Sequence, residues 1–493
     1  MIRVRFAPSP TGRLHLGNIR TALFNYLFAR AKGGTFILRL EDTDRERFLP
    51  EYREGIIQDM RWMGLNWDEG PENNGPYGPY EQSERLELYQ KYANQLIVEG
   101  KAYYCYVTQE ETDEAKRIAR LNRMPPRFDN RGRNFTQEEI EARKARGIKP
   151  TLRFKVENPQ VKMHDLIRGD VEFNLDDMSG DFVILRADGT PTFHLAVCVD
   201  DALMKVTHVI RGEDHLSNTP KHILLIKAMG FEPPQYGHLS LIHGPGGEPL
   251  SKRLSTVSVG EFRRQGYLPE ALVNYIAFLG WSPGDNREIF SWEELQKVFS
   301  LERVNKSSSI YDPDKLNWVN GQHLRLLSDE VFAQRALDYL RSHSDFFASE
   351  TSSQPAQYHS VSAPKAQPTP EALRRILPAF KDAVAKFDEL PAHLSFLKSP
   401  LTYENAAWLQ SPAAKTLLTE AVALLSSLNW NDPLVYDAFI AALKPKVTVK
   451  GKELFMPVRV ALTGKEHGPE LKKLFPLLGL QFVEERFKAA LGN

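Results

Sequence analysis

Residues 2–6 alternate apolar and polar positions and predict a short β-strand. The segment NIRTALFNYLFARAKGG (18–34) changes period. Ile19, Leu23 and Leu27, with Phe24 and Phe28, recur at helical spacing, and Gly33-Gly34 stops the helix. TFILRLED (35–42) returns to a strand. A strand–helix–strand unit predicts a parallel pair joined by a right-handed crossover. Ligands in open parallel sheets bind beyond the carboxyl ends of the strands. Those ends are Phe6–Ser9 and Glu41–Asp44, so both are expected at one crevice.

Residues 85–185 read as a separate block, helical at first. TLRFKV, VKMHDLIRGDVEFN and DFVILRADGTPTFHLA then read as strands and turns. VDDALMKVTHVIRGEDHLSNTPKHILLIKAMG goes back to alternating strand and helix. From about residue 325 onward the pattern is nearly all helical, as in LRRILPAFKDAVAKF, AAKTLLTEAVALLSSL and PLVYDAFIAALKPK. Between these helices lies SETSSQPAQYHSVSAPKAQPTP (349–370), rich in Ser, Pro, Gln and Ala. That composition predicts a flexible insertion with no packed core.

The 493 residues are too many for one core and predict about three domains. Hydrophobic content of 42% with 26% charged residues is that of an ordinary globular protein. Lys+Arg and Asp+Glu both number 63, which excludes a wholly basic nucleic-acid coat but leaves room for a local basic groove. Cys105 and Cys198 make no disulfide framework and fit a reducing compartment. The sequence has no apolar run of about 18 residues, and MIRVRFAPSP lacks the apolar stretch of a signal peptide. A cytoplasmic protein with no membrane partner is expected.

Two motifs carry chemistry. PSPTGRLHLGN (8–18) puts Gly17 and Asn18 at a helix N-terminus, where backbone N–H groups favour anions, with His15 in reach of the same anion. Taken alone, a His-x-Gly after a strand is more often a plain turn with a surface histidine. The second is PLSKRLST (249–256), after the Gly-rich HGPGGE. A loop bearing Ser251, Lys252 and Arg253 suits a polyphosphate, because cations there meet the charge that builds on a leaving pyrophosphate. Alone it is equally a solvated basic loop. The chain has no G-x-x-x-x-G-K-[ST], so a P-loop is not supported.

Together HLGN and LSKR resemble the two signatures of class I aminoacyl-tRNA synthetases. RFAPSPTGRLHLGNIRTALFNYLFAR, LRLEDTD, HVIRGEDHLSNTPKHILL, GYLPEALVNYIAFLGWS, YDPDKLNWVNGQHLR and ELFMPVRVALTGKEHGPEL narrow this to the bacterial-type glutamyl-tRNA synthetases, over the whole chain except 349–370. The resemblance implies an α/β Rossmann-like catalytic domain in two halves (1–84 and 186–240) around an inserted acceptor-binding block (85–185). It also implies a stem-contact region with the Ser-Lys-Arg loop (241–325) and an all-α anticodon-binding region (326–493). The implied reaction activates glutamate with ATP and Mg²⁺ and transfers it to tRNA-Glu, in some members also to tRNA-Gln. By resemblance His15 and Lys252 are catalytic, and His15, Gly17, Asn18, Ser251, Lys252 and Arg253 bind ATP. Glutamate falls to Arg5, Ser9, Glu41, Phe193 and Arg211, with Arg211 on the side-chain carboxylate and Glu41 on the ammonium. Arg5, read by itself, is a strand residue in an ion pair. A monomer is expected.

Three positions depart from the family pattern. Pro249 stands where the second signature usually has lysine, and Phe193 where tyrosine is frequent. Many relatives hold zinc in the inserted block with Cys-x-Cys and a later cysteine. Here Val107 and Gly132 leave Cys105 alone, so no zinc is expected and both cysteines read as buried small hydrophobes. A paralogue that glutamylates a queuosine base lacks the helical half that this chain keeps. A regulatory tRNA-binding paralogue is motivated by Pro249 and Phe193 but opposed by His15, Lys252, Glu41 and Arg211. The Lys/Arg-rich stretch 117–133 is a candidate phosphate contact and equally a solvated face, and an anticodon contact near Lys381 is one option among many.

Overall fold

The computed structural model describes residues 1–44, 47–248, 250, 257–343, 346, 369–397 and 401–492. The expectations for Pro249, Ser251, Lys252 and Arg253, and for 349–368, lie outside the described residues. Two compact units result. The first comprises Met1–Glu261 with Leu272–Asp312, the second Phe262–Ala271 with Pro313–Asn493.

The first unit opens with β1 (Arg3–Phe6), α1 (Leu16–Ala31) and β2 (Thr35–Leu38). β1 and β2 pair in parallel from Arg3↔Thr35 to Phe6↔Leu38, as the crossover pattern predicts. β2 is shorter than the expected strand 35–42 because the chain changes partners. The N–H of Leu40 donates to Tyr80 O (2.9 Å) and that of Glu41 to Pro8 O (3.0 Å). The second contact sets the carboxyl ends of both strands side by side, at the expected crevice.

Next come α2 (Pro50–Trp62), α3 (Leu86–Val98), β3 (Ala102–Cys105), α4 (Gln109–Leu121), α5 (Gln137–Ala145) and β4 (Thr151–Phe154). They are followed by β5 (Gln160–Asp165), β6 (Gly169–Asn174), α6 (Leu175–Met178) and β7 (Phe182–Leu185). β3, β4 and β7 form an antiparallel sheet. β5 and β6 make a hairpin that joins the parallel strands β8 (His208–Gly212) and β9 (Gln235–Leu239) in the order β6-β5-β9-β8. α7 (Phe193–Leu203) precedes β8, and α8 (Thr219–Ala228) connects β8 to β9. β1 runs beside the start of β8, where Thr207 N–H donates to Arg3 O at 2.9 Å.

The segment DFVILRADGTPTFHLA, expected as strands and turns, is a strand only to Leu185. Its end, FHLA, is the first turn of α7, which starts after an extended Thr192 and buries Leu195, Cys198 and Val199 in the core. The apolar residues there sit at i, i+3 and i+4, the helical spacing. Both cysteines are free and buried.

The second unit has helices and no strand among its described residues. Its core gathers Leu417, Leu418, Ala421, Phe439, Leu454, Val458, Phe475 and Phe487, with Trp430 and Phe439 stacked on Phe475 at 5.1 and 5.0 Å. LRRILPAFKDAVAKF is not one helix. The α-helix Pro370–Ile376 gives way to a tighter turn at Leu377–Phe380, where Pro378 brings no N–H to continue the ladder. Thr369 and Pro370, counted with the insertion by composition, are the N-cap and first residue of that helix. Thr369 Oγ1 accepts from Ala372 N–H at 3.2 Å.

Candidate active site

His15 is the N-cap of α1. Its Nδ1 accepts from Gly17 N–H (3.2 Å), and Asn18 Oδ1 accepts from His15 N–H (3.3 Å). Two otherwise unpaired donors at the helix start are thereby satisfied reciprocally. Accepting through Nδ1 requires that nitrogen unprotonated. Burial, opposed by the Asp214 carboxylate, holds the imidazole pKa below its ordinary value. A Cβ at Gly17 would lie 3.2 Å from the His15 ring, a tight contact that the ring would have to relieve by a small shift. Leu16 N–H donates to Val257 O (3.2 Å) and Val259 N–H to Leu14 O (3.1 Å). The residues that follow Thr256 therefore run antiparallel beside His15.

Arg5 and Glu41 belong to a buried set of charges. Arg5 gives Nε (3.1 Å) and Nη2 (3.4 Å) to the two oxygens of Asp201. Arg39, fully buried, donates to Asp201 Oδ1 (2.7 Å) and Glu41 Oε1 (3.2 Å). Asp200 accepts from Arg85 Nε (2.6 Å), Gln82 Nε2 (2.8 Å) and the Tyr89 hydroxyl (2.9 Å). Burial pushes the Asp201 carboxyl up, but Arg5 and Arg39 outweigh it and leave its pKa lowered. At Glu41 burial wins over Arg39 and Arg5, and the pKa is raised. Ser9, exposed, follows the Pro8 carbonyl that binds Glu41 N–H, so the two share the rim of the crevice.

Arg211 has different company. It is 5% exposed at the end of β8. Its Nε donates to His238 Nε2 (3.2 Å), and Nη2 to Thr219 Oγ1 (2.9 Å) and His215 O (3.3 Å); Nη1 lies 3.3 Å from His222 Nδ1. Among the described residues no carboxylate lies within ion-pair distance of it. Burial is the main cause that lowers its pKa, and Arg5 adds to it. A buried cation without an anion is unfavourable in isolation. The arrangement is suited to receiving one. Phe193 packs on His215 (5.5 Å) and His222 (5.6 Å), which places it on the wall of the same pocket.

Residues 1–318 match the family described as tRNA synthetases class I (E and Q), catalytic domain, and residues 332–491 match an anticodon binding domain. A glutamate–tRNA ligase 1 from Thermoanaerobacter sp. (strain X514) is 43% identical over 99% of both chains. A glutamate–tRNA ligase from Carboxydothermus hydrogenoformans is 44% identical over 99% of both. The chain belongs to the glutamyl-tRNA synthetases. In keeping with this, a crystal structure of the glutamate tRNA ligase of Elizabethkingia meningosepticum in complex with its amino acid superposes with a TM-score of 0.84 at 33% identity, over 100% of this chain and 99% of that one.

Sequence reasoning missed Arg39, Asp200, Asp201, His222 and His238 in this synthetase. The usable signal was LAVCVDDALM, two adjacent acids inside an apolar helix, which is costly unless each has a partner.

Cys105 packs with Val107 and Phe128, and a Cβ on Gly132 would lie 2.5 Å from its Sγ. One thiol facing a methyl-bearing side chain and a glycine does not fit a zinc site. Asp181 ties this region together. It accepts from Arg133, from the Tyr103 hydroxyl (2.8 Å) and from Val156 N–H (2.8 Å). Gly132→Ala is expected to destabilise the synthetase by about 1–3 kcal/mol through overpacking, read as a lower denaturant midpoint. An unchanged midpoint would show that the loop yields freely. Of the arginines in 117–133, Arg117, Arg127, Arg131 and Arg133 are paired with Glu114, Asp176, Asp129 and Asp181.

In the second unit a cleft of about 1250 Å³ is lined by Arg335, Arg374, Lys381, Lys472 and Lys473 together with Trp430, and also by Asp329, Glu330, Asp382 and Asp432. Lys381 donates to Leu327 O and Asp329 Oδ1, both at 2.7 Å.

Proposed function

We propose that this synthetase is a cytoplasmic, monomeric glutamate–tRNA ligase. An oxygen of the glutamate α-carboxylate attacks the α-phosphorus of ATP, the bond to the bridging oxygen breaks, and pyrophosphate leaves. A ribose hydroxyl of the terminal adenosine of tRNA-Glu then attacks the carbonyl carbon of the adenylate, and AMP leaves. The observation that carries the reading is Arg211, a buried guanidinium without a carboxylate partner among the described residues, within reach of the fields of Arg5 and Asp201.

In this reading Arg211 takes the side-chain carboxylate, Glu41 and Ser9 take the amino-acid head, and Phe193 forms the apolar wall. Arg5 acts through the field it shares with Asp201, which occupies its fork. His15, Gly17 and Asn18 hold the nucleotide at the helix N-terminus. Ser251, Lys252 and Arg253 carry its phosphates; what supports this is that Val257–Val259, a few residues further along the chain, pair with Leu14–Leu16. Mg²⁺ enters on the phosphates, where it keeps most of its waters and needs few protein ligands. The inserted block takes no zinc. The helical half reads the anticodon, and the Trp430-bearing cleft, of mixed charge, offers an aromatic ring and polar groups to unstacked bases.

The test is charging with labelled glutamate on purified tRNA-Glu and tRNA-Gln separately. Charging of tRNA-Glu is expected. Lys252→Ala should lower ATP–pyrophosphate exchange about 10²–10³-fold, the usual effect of removing one preorganised transition-state group. No charging of tRNA-Glu by the wild type would refute the reading.

A further inference from the structure

Among the described residues every hydrogen-bond partner of Arg211 is a neutral group, and their order is specific. Asp165 Oδ2 lies 2.5 Å from His238 Nδ1, both side chains fully buried. That contact puts the His238 proton on Nδ1, so Nε2 presents a lone pair to Arg211 Nε–H. The tautomer is further pinned by its own backbone, since His238 N–H donates to Asp165 Oδ1 (3.2 Å) while Ile167 and Arg168 N–H (both 2.9 Å) fix the carboxylate. On the other side, His222 Nε2 lies 3.1 Å from His194 Nδ1. With the proton on Nε2 donating to His194, His222 Nδ1 is left to accept from Arg211 Nη1. Thr219 Oγ1 takes Nη2 and lies 3.1 Å from His238 Nε2.

We propose that His238 and His222 are positioning residues for glutamate recognition: fixed by Asp165 and His194, they aim the Arg211 fork while leaving its charge un-neutralised for the substrate carboxylate. A carboxylate at either place would orient the fork equally well, but it would compete with the substrate for it. Neutral imidazoles do the first without the second. This rests on Arg211 binding the side-chain carboxylate, as proposed above.

The test exploits two isosteric replacements. His222→Gln keeps a neutral acceptor, and its KM for glutamate in ATP–pyrophosphate exchange should stay within about threefold of wild type. His222→Glu has the same shape and adds the competing charge, and its KM for glutamate should rise about tenfold or more, with KM for ATP unchanged. His238→Ala should likewise raise the glutamate KM about tenfold, and His238→Gln should recover most of it. Equal effects of Gln and Glu at 222, or KM values for ATP and glutamate rising together, would overturn the proposal. Arg211→Lys separates the two layers. If it leaves the glutamate KM unchanged, the reading of the pocket fails and takes this inference with it. If it raises that KM while the histidine variants are silent, the inference alone fails.

Discussion

Replacing Arg211 by methionine is expected to lower kcat/KM for glutamate by two to three orders of magnitude while leaving the folded protein as stable as before or more so. The first half follows from losing a charge-assisted, two-pronged contact in a buried place, worth about 3–4 kcal/mol when one partner is removed. The second half follows from what surrounds the group. Arg211 has histidines, a threonine and a carbonyl as partners, and its burial lowers its pKa, so in the absence of substrate its charge is held at a loss. A methionine of similar length removes that charge without opening a large cavity. Steady-state exchange kinetics with glutamate and thermal unfolding of the same samples check both parts. A variant that loses activity by unfolding would contradict the argument. Binding sites held strained for their ligand commonly trade stability in this way.

Asp200→Asn is expected to do the opposite. Asp200 is fully buried and answers Arg85, Gln82 and Tyr89 at once, with Arg39 Nε 3.8 Å away. Removing its charge leaves Arg85 buried without its carboxylate, and breaking a buried pair from one side costs about 3–5 kcal/mol. For a unit of this size that is a fall of about 5–8 °C in the melting temperature. The asparagine keeps the shape, so the loss isolates charge from packing. A melting temperature within about 2 °C of wild type would show that the neighbouring carboxylates Asp201 and Glu41 absorb the change.

The contrast between these two residues explains what the sequence disclosed. The crossover β1-α1-β2 was legible because its hydrophobic period is local, and so was the turn in which His15, Gly17 and Asn18 cap one another within four residues. Arg5 read alone as a strand residue in an ion pair, and it is one, but its partner Asp201 lies 196 residues away. The Arg39–Asp201 and Arg85–Asp200 contacts span 162 and 115 residues, and no pattern within a window reports such pairings. His238 reaches Asp165 across 73 residues by the adjacency of β5 and β9. β2 ended early and α7 began early for a related reason. Backbone acceptors of distant segments, such as the Tyr80 carbonyl that takes the Leu40 N–H, decide where a strand stops.

β1 also has a consequence in time. Its free edge is met by Thr207, which is 204 residues further along the chain. At about 5–20 residues per second, a ribosome needs roughly 10–40 s to deliver that partner after the first strand has emerged. For nearly all of that interval Arg5 has no Asp201 and Arg39 has neither of its aspartates, while the antiparallel strands β3, β4 and β7 are all made before those aspartates. The region around Arg5 and Arg211 is therefore among the later parts of the first unit to close during synthesis, and Arg5 in the early strand waits without its carboxylate.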